Sequence, residues 1–476
     1  MELDLWYSIA ALLVPIASLL VSCHAVLTKR DSRSALTWVA LAWLAPIFGV
    51  VLYLLFGINR LNRRVSALGR SREDWEDDIH ACSRSSLLEL LDDRDRHLAS
   101  LAEAMNRISV RPLVTGNRVR YLVDGEQAYP AMLEAIRQAR SSVTLATYIF
   151  GNDVVGREFA DALEAAVRRG VEVRVLIDNA GERYSWPSMV GNLQRRGVPV
   201  ARFSPSFQAR FFGLNLRNHR KLLVVDGRTG FTGGMNIRRH HLMDSGWRAT
   251  RDVHFRFEGP LVRQLQEVFY EDWYFAADER LDGERWFPPL QPVGSVVARG
   301  VRGGPDENML KHQLALLAGI ASASRSLRIM TPYFLPDGTL MSALITANLR
   351  GVKVDVLLPS RNNLPFVHWA MLAQIRSLLD YDVGIWLTPP PFDHSKLFVV
   401  DDAWTFLGST NWDPRSLRLN FEYNVECYDR PLATELAELI DNRIAAARRL
   451  SLRDIDGRSL PLRLRDGMAR LLMPYL

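Results

Sequence analysis

The stretch Asn-His-Arg-Lys-Leu-Leu-Val-Val-Asp, Asn218 to Asp226, constrains the fold more than any other feature, because its pattern occurs twice. His219, Lys221, Asp226, Gly233 and Asn236 return as His394, Lys396, Asp401, Gly408 and Asn411, every pair 175 positions apart (394 − 219). The chain has only five lysines, and two of them fill this one slot. The surrounding periodicity repeats as well. Val143 to Phe150 and Val171 to Ile177 are strand-like around a helical Gly156 to Arg169, and Leu327 to Phe334 and Val352 to Leu358 frame Gly338 to Arg350 in the same way. The soluble part therefore reads as two α/β halves of like topology, 113–295 and 296–445, joined in a Pro- and Gly-rich stretch near 285–305. Two halves with one motif each are expected to pack face to face around a single composite site.

A His-x-Lys pair at the start of a strand puts both side chains on one face, since residues two apart point the same way. One phosphate can then meet both. Lysine supplies positive charge, and imidazole acts near neutral pH as nucleophile or proton carrier. Asn236 and Asn411 follow tight Gly233-Gly234 and Gly408-Ser409 turns and suit hydrogen bonding to phosphate oxygens. A histidine in this role needs its other ring nitrogen held by a carboxylate. Glu422 lies 28 residues after His394 (422 − 394), and by pattern its counterpart is Asp252, 33 after His219 (252 − 219). The expected pairs are thus Asp252 with His219 and Glu422 with His394. Asp226 and Asp401 complete the catalytic set of the motif, although a strand end before a turn suits backbone capping better than a direct chemical role. No carboxylate cluster accompanies the motifs, so no metal or other cofactor is implied. His240, His241, His254, His312 and His368 lack such context and read as solvent-facing or structural. Tyr148 and Tyr333 end matching strands toward the site and suit either ligand contact or core.

Two uncharged apolar runs, Leu5 to Leu27 and Ala35 to Gly57, precede this body. As helices each extends about 34 Å, enough for a hydrocarbon core of about 30 Å, and the short Lys29 to Arg33 link makes them a transmembrane hairpin over 1–59. A cleaved signal ending at Leu20-Val21-Ser22-Cys23 is disfavoured by Glu2 and Asp4 and by the second apolar run. Arg60, Arg63, Arg64, Arg70 and Arg72 outnumber the three cations of the link, which favours a cytoplasmic body. Residues 60–112 read as a charged helical connector with a leucine stripe that includes Leu87, Leu98 and Leu101. Net charge is +6 and pI near 9.3, which points to an anionic partner, nucleic acid or acidic membrane. Cys23, Cys82 and Cys427 are too scattered for a disulfide framework or zinc site. Two further stretches favour lipid. Phe203, Phe207, Phe211, Phe212 and Leu214 mingle with Arg202, Arg210 and Arg217, and in the tail (446–476) Leu464, Met468, Leu471, Leu472 and Tyr475 share a helical face bordered by Arg463, Arg465 and Arg470. The tail equally suits a docking helix.

The paired motifs resemble the phospholipase D superfamily. Within it, the second apolar run, Tyr148-Ile149-Phe150, Asn218-His219-Arg220-Lys221, Gly233-Gly234-Met235-Asn236, Thr331-Pro332-Tyr333-Phe334 and Leu419-Asn420-Phe421-Glu422 are similar to the bacterial cardiolipin synthases over nearly the whole chain. Asp393 before His394 and Ser395 after it, and the long Trp247 to Asp252 segment, depart from the family pattern. The resemblance implies a multi-pass enzyme of the bacterial inner membrane that forms a phosphohistidine, with His219 as nucleophile and His394 as acid; the symmetry of the motifs leaves that assignment open. It implies transfer of a phosphatidyl group between two phosphatidylglycerols, giving cardiolipin and glycerol, with anionic phospholipids and no nucleic acid as partners. Hydrolysis to phosphatidic acid is the alternative, followed distantly by a membrane-tethered nuclease. Oligomeric state is not legible.

Overall fold

The computed structural model describes residues 2–29, 32–58, 80–203, 217–305 and 310–471, which fall into two compact units, one reaching to residue 58 and one from residue 80 onward. Arg30, Arg60, Arg63, Arg64, Arg70 and Arg72 of the charge count, Phe207, Arg210, Phe211, Phe212 and Leu214 of the aromatic stretch, and Leu472 and Tyr475 of the tail lie outside the described residues.

In the first unit, helix Glu2–Thr28 packs against Ser32–Leu44 and Pro46–Leu52. The contact face combines small and polar residues with Val21, Trp38 and Tyr53. Ser18 Oγ donates to Ala42 O at 2.6 Å, Ala25 and Ala42 are fully buried, and a Cβ on Gly49 would stand 2.2 Å from Leu41 O. The outer face carries Leu12, Ile16, Leu20, Leu27, Leu36, Leu44, Ile47 and Phe48. This inverts the pattern of a helix pair built for water. The run expected at 35–57 is not one helix. Ala45 leaves helical geometry because the ring of Pro46 crowds the preceding residue, and the run ends in a π-helical turn, Tyr53–Gly57. Among the described residues no helix is long and apolar enough to cross a membrane.

The second unit is built on a sheet of sixteen strands. The unit's strands, those sixteen and a separate two-stranded pair, are β1 (Val114–Val123), β2 (Ser142–Thr147), β3 (Glu172–Asp178), β4 (Val200–Phe203), β5 (Arg217–Asn218), β6 (Leu222–Val225), β7 (Thr229–Gly233), β8 (Thr250–Arg251) and β9 (Val253–Glu258) before residue 260. They continue as β10 (Val296–Gly303), β11 (Ser326–Met330), β12 (Lys353–Pro359), β13 (Gly384–Thr388), β14 (Phe392–Asp393), β15 (Leu397–Val400), β16 (Trp404–Gly408), β17 (Asn420–Tyr428) and β18 (Arg448–Arg449), with β8 and β14 forming the separate pair. Outward from the middle, one side runs β1-β9-β7-β6-β2-β3-β4 and the other β10-β17-β16-β15-β11-β12-β13, so the two halves repeat one topology in mirrored order. In each, three parallel strands adjoin four antiparallel ones.

The halves do not meet face to face as expected. β1 pairs antiparallel with β10, Val114 opposite Ala298, so they join edge to edge in one sheet. A shared apolar layer under helices Leu261–Ala277 and Arg430–Ala445, from Phe257 and Phe269 to Val425 and Leu436, covers one face across both halves. Burying two open edges removes the unpaired backbone that each half would otherwise present. The segment after residue 80 is no free linker. Leu87, Leu98, Leu101 and Met105 enter the second half's core, and Asp95, 2% exposed, is paired with Arg325 at 3.0 Å and with Arg430.

Candidate active site

The two histidines are set by strand pairings that cross between halves. β5 runs parallel to β17, and His219 N–H donates to Phe421 O at 2.9 Å; β14 runs parallel to β8, and His394 N–H donates to Arg251 O at 2.8 Å. The residue after each acceptor is a carboxylate. His219 Nδ1 therefore lies 3.0 Å from both Oε1 and Oε2 of Glu422, and His394 Nδ1 lies 2.8 Å from Oδ2 of Asp252. This corrects the expected pairing: each acid orients the histidine of the other half. Both carboxylates are fully buried. With Nδ1–H donating to a carboxylate, Nε2 is the nitrogen left for chemistry.

Lys221 Nζ donates to His219 O at 2.6 Å, and Lys396 Nζ to His394 O, also standing 3.0 Å from His394 Nδ1. Both lysines are buried, at 2% and 4% exposure. Burial pushes Lys221 down to about 7 against the pull of Glu422, and Lys396 down to about 8 against that of Asp252. Burial and then Lys396, Lys221 and His219 hold His394 well below its ordinary value; burial likewise lowers His219, with Glu422 opposing. Such a cradle is built to gain stabilisation from an incoming anion.

The acids are not equivalent. Burial acts to raise Glu422, but His219, Lys221 and a 2.5 Å hydrogen bond from Ser409 Oγ outweigh it and hold it down to about 2. At the position matching Ser409 stands Gly234, where a Cβ would lie 2.3 Å from Asp252 Oδ1. Without a hydroxyl in that place, burial takes Asp252 up to about 6 despite Lys396. Ser409 was not singled out in the sequence; the Gly/Ser difference between the copies was its signal.

Other expected residues divide clearly. Asn236 Oδ1 accepts from Ile149 N–H at 3.0 Å, which fixes the strand end beside Tyr148 and leaves its Nδ2 for a ligand. Asn411 Nδ2 donates to Ser416 Oγ at 3.2 Å, and its buried Oδ1 has no partner among the described residues. Tyr148 stands edge-on to His219 at 5.4 Å and Tyr333 to His394 at 6.1 Å. Asp226 and Asp401, placed with the catalytic set, serve the scaffold instead. Both adopt positive φ, 52° and 54°, and their carboxylates are spent on backbone: Asp226 accepts from Arg140, Ser141 and Ser142 N–H, and Asp401 from Ser324, Arg325 and Ser326 N–H and from His97 at 2.7 Å. Each carboxylate anchors the start of the neighbouring strand, β2 or β11.

Of the remaining histidines, His241, His254 and His312 are buried. His312 bonds Val301 O and Thr410, whereas His241 stands 6.4 Å from His394 and is closer to the site than its lack of motif suggested. A pair of buried arginines also escaped the sequence reading. Arg220, 1% exposed, grips Asp272 at 2.7 Å and Gly303 O at 3.0 Å; in the second copy the charges reverse, Arg443 binding Asp393 and Ser395 Oγ at 3.1 Å. Ser395, a departure from the family pattern, is thereby explained. The other departure, Trp247 to Asp252, runs from the end of a 3-10 turn, Met243–Arg248, into β8, with Trp247 88% exposed. Among the described residues no group of His, Cys, Asp and Glu is arranged to hold a metal ion.

The family described as cardiolipin synthase, PLD-like domain, matches residues 132–273 and 316–444, and a phospholipase D-nuclease N-terminal family matches residues 16–57. The major cardiolipin synthase of Bacillus subtilis (strain 168) is 32% identical over 463 residues, 94% of this chain and 95% of that protein. Cardiolipin synthase A of Pseudomonas putida (strain W619) is 32% identical over 98% of this chain and 97% of its own length. Among solved structures, the phosphatidylserine synthase of Haemophilus influenzae superposes with a TM-score of 0.63 at 15% identity, covering 79% of this chain and 100% of that one, a likeness of fold.

Proposed function

The chain belongs to the cardiolipin synthase family of phospholipase D-like proteins, and from that premise we propose that it is a membrane phosphatidyltransferase converting two phosphatidylglycerols into cardiolipin and glycerol. The observation that carries the reading is the crossed arrangement of His219 with Glu422 and His394 with Asp252, two buried lysines beside them.

In the proposed cycle His219 Nε2 attacks the phosphorus of the first phosphatidylglycerol. The bond from phosphorus to the headgroup glycerol oxygen breaks, and His394 Nε2–H gives that oxygen its proton. Lys221, Lys396 and the amide groups of Asn236 and Asn411 hold the phosphate oxygens through the charge build-up. Arrival of the phosphodiester anion raises His394 toward its protonated form, offsetting the lysines that depress it. A hydroxyl of the second phosphatidylglycerol then attacks the phosphohistidine, His394 accepts its proton, and the phosphorus–nitrogen bond breaks. The fully ionised Glu422 favours His219 as nucleophile, since it stabilises the cationic phosphoimidazole; Asp252, held near 6, is the weaker partner and suits the residue that must give up a proton.

We further propose that residues 5–27 and 35–57 form a membrane hairpin, with the body cytoplasmic. The close approach at Ser18, Ala25, Ala42 and Gly49 and the outward leucines of the first unit support this. Purified protein incubated with phosphatidylglycerol vesicles, with lipids followed by mass spectrometry, tests the reaction. Cardiolipin and free glycerol are expected; phosphatidic acid alone would turn the reading to hydrolysis.

A further inference from the structure

We infer that the tail helix, Leu460–Leu471, is an interfacial helix that seats the second half on an anionic bilayer surface; the inference rests on the lipid reading of the site.

The helix is docked inside out. Its inward contacts are small or polar: Asp466, 3% exposed, accepts from Arg458 and from Arg465 Nη2 at 2.8 Å, and Ala469 is 1% exposed. The Arg465 guanidinium lies 4.3 Å from the ring centre of Trp369, in helix Pro365–Gln374 on which the tail packs. Its large apolar residues face away, with Leu460 67%, Leu464 60%, Met468 65% and Leu471 70% exposed. Their spacing places all four in one stripe along the helix. A helix that ends in water turns such a stripe toward its own core. Here a core is at hand on the Ala469 side, yet the stripe points outward, so the apolar face is built for another cover.

Charge selects that cover. Arg463 and Arg470 are exposed beside the stripe, and the helix's one acid, Asp466, is buried and paired. From Arg448 to Leu471 the chain has seven arginines against three aspartates. A bilayer with anionic headgroups meets the apolar stripe and the flanking cations together. A second copy presenting the same stripe would bring the same arginines against them. The seat also lies close to the chemistry. Asn363, two residues before helix Pro365–Gln374, accepts from Tyr333 OH at 2.8 Å, and the Tyr333 ring is 6.1 Å from that of His394.

The test uses the full chain in vesicles of phosphatidylglycerol and phosphatidylethanolamine. Of its cysteines only Cys23 is exposed, so an environment-sensitive fluorophore is placed at Leu464→Cys or Met468→Cys in a Cys23→Ser background, with Glu435→Cys as an exposed control. Lipid-borne nitroxides are expected to quench the labels at 464 and 468 several-fold more than at 435, and less so when phosphatidylcholine replaces phosphatidylglycerol. Equal quenching at all three sites overturns the inference, as does label self-quenching that grows with protein density, the mark of a second copy on the stripe. A Leu464→Glu/Met468→Glu/Leu471→Glu variant is expected to raise KM for long-chain phosphatidylglycerol in vesicles about ten-fold while sparing kcat on a short-chain soluble analogue; unchanged KM overturns it. If that variant fails to fold, the quenching measurement decides alone. Quenching without cardiolipin production would remove the proposed reaction and leave the bilayer seat; production without quenching removes only the seat.

Discussion

Glu422 of the second half holds Nδ1 of His219 of the first, 3.0 Å from both its carboxylate oxygens. The reciprocal contact, His394 with Asp252 at 2.8 Å, makes the site a product of the junction, since neither half carries a complete histidine–acid pair. Because the acids differ in length, neighbours and charge state, the two pairs have separable signatures.

Glu422→Gln replaces an acceptor-only carboxylate with an amide that also donates, so the His219 tautomer is no longer fixed, and it is expected to lower kcat by about 10³- to 10⁴-fold, as for other oriented histidines. Asp252→Asn should reduce turnover of phosphatidylglycerol comparably. A phosphodiester lipid with a nitrophenol leaving group needs no proton from His394, so it should restore release of the first product in Asp252→Asn and His394→Ala, but not in Glu422→Gln or His219→Ala. Burst kinetics with that substrate checks the assignment; rescue of the second pair would reverse the roles of the histidines.

The pH dependence of kcat/KM should be bell-shaped and narrow. Phosphate binding requires protonated lysines, and because burial lowers Lys221 to about 7 and Lys396 to about 8, activity should fall as pH rises through that interval, well below the ordinary lysine range. On the acid side Asp252, raised to about 6, loses its acceptor role as pH falls through that value. Vesicle assays from pH 5 to 9 measure both limbs. A plateau extending to pH 9 would contradict the buried, depressed lysines.

Ser409 supplies the hydroxyl that Gly234 cannot. Ser409→Ala should raise the pKa of Glu422 and lower kcat about ten-fold, the scale of one hydrogen bond to a charged group. Gly234→Ala should be worse, because its Cβ would meet the Asp252 carboxylate at 2.3 Å. Steady-state kinetics with thermal melts separates the two: the first variant should melt normally, the second several degrees lower.

Asp226→Ala should act on stability and spare chemistry. Its carboxylate accepts from the backbone at the head of β2, with Ser141 N–H at 2.7 Å, so deletion leaves half-buried donors unsatisfied at a cost of about 1–3 kcal/mol. Denaturant unfolding should show that loss while kcat per folded enzyme stays within about two-fold of the parent. A thousand-fold loss of kcat without destabilisation would return Asp226 to the catalytic set.

The chemistry was legible in the sequence because it depends on residue identity at repeated positions. Two histidines, two lysines and two asparagines at one spacing name a phosphate site, and the strand–helix–strand recurrence beside them names two like α/β halves. Local periodicity also marked the tail as amphipathic, since helical phase is set within a few residues. The partners were not legible. β5 and β17, or β14 and β8, lie far apart in the chain, and no pattern within a two-residue strand records which distant edge it will join. Only folding of the halves into one sheet decided that Glu422 serves His219 and Asp252 serves His394, that Asp226 and Asp401 bind backbone, and that the tail's leucines face outward. Residue type determined what the site is able to do; long-range strand pairing, which fixes which backbone edges are buried against each other, decided which residues do it together.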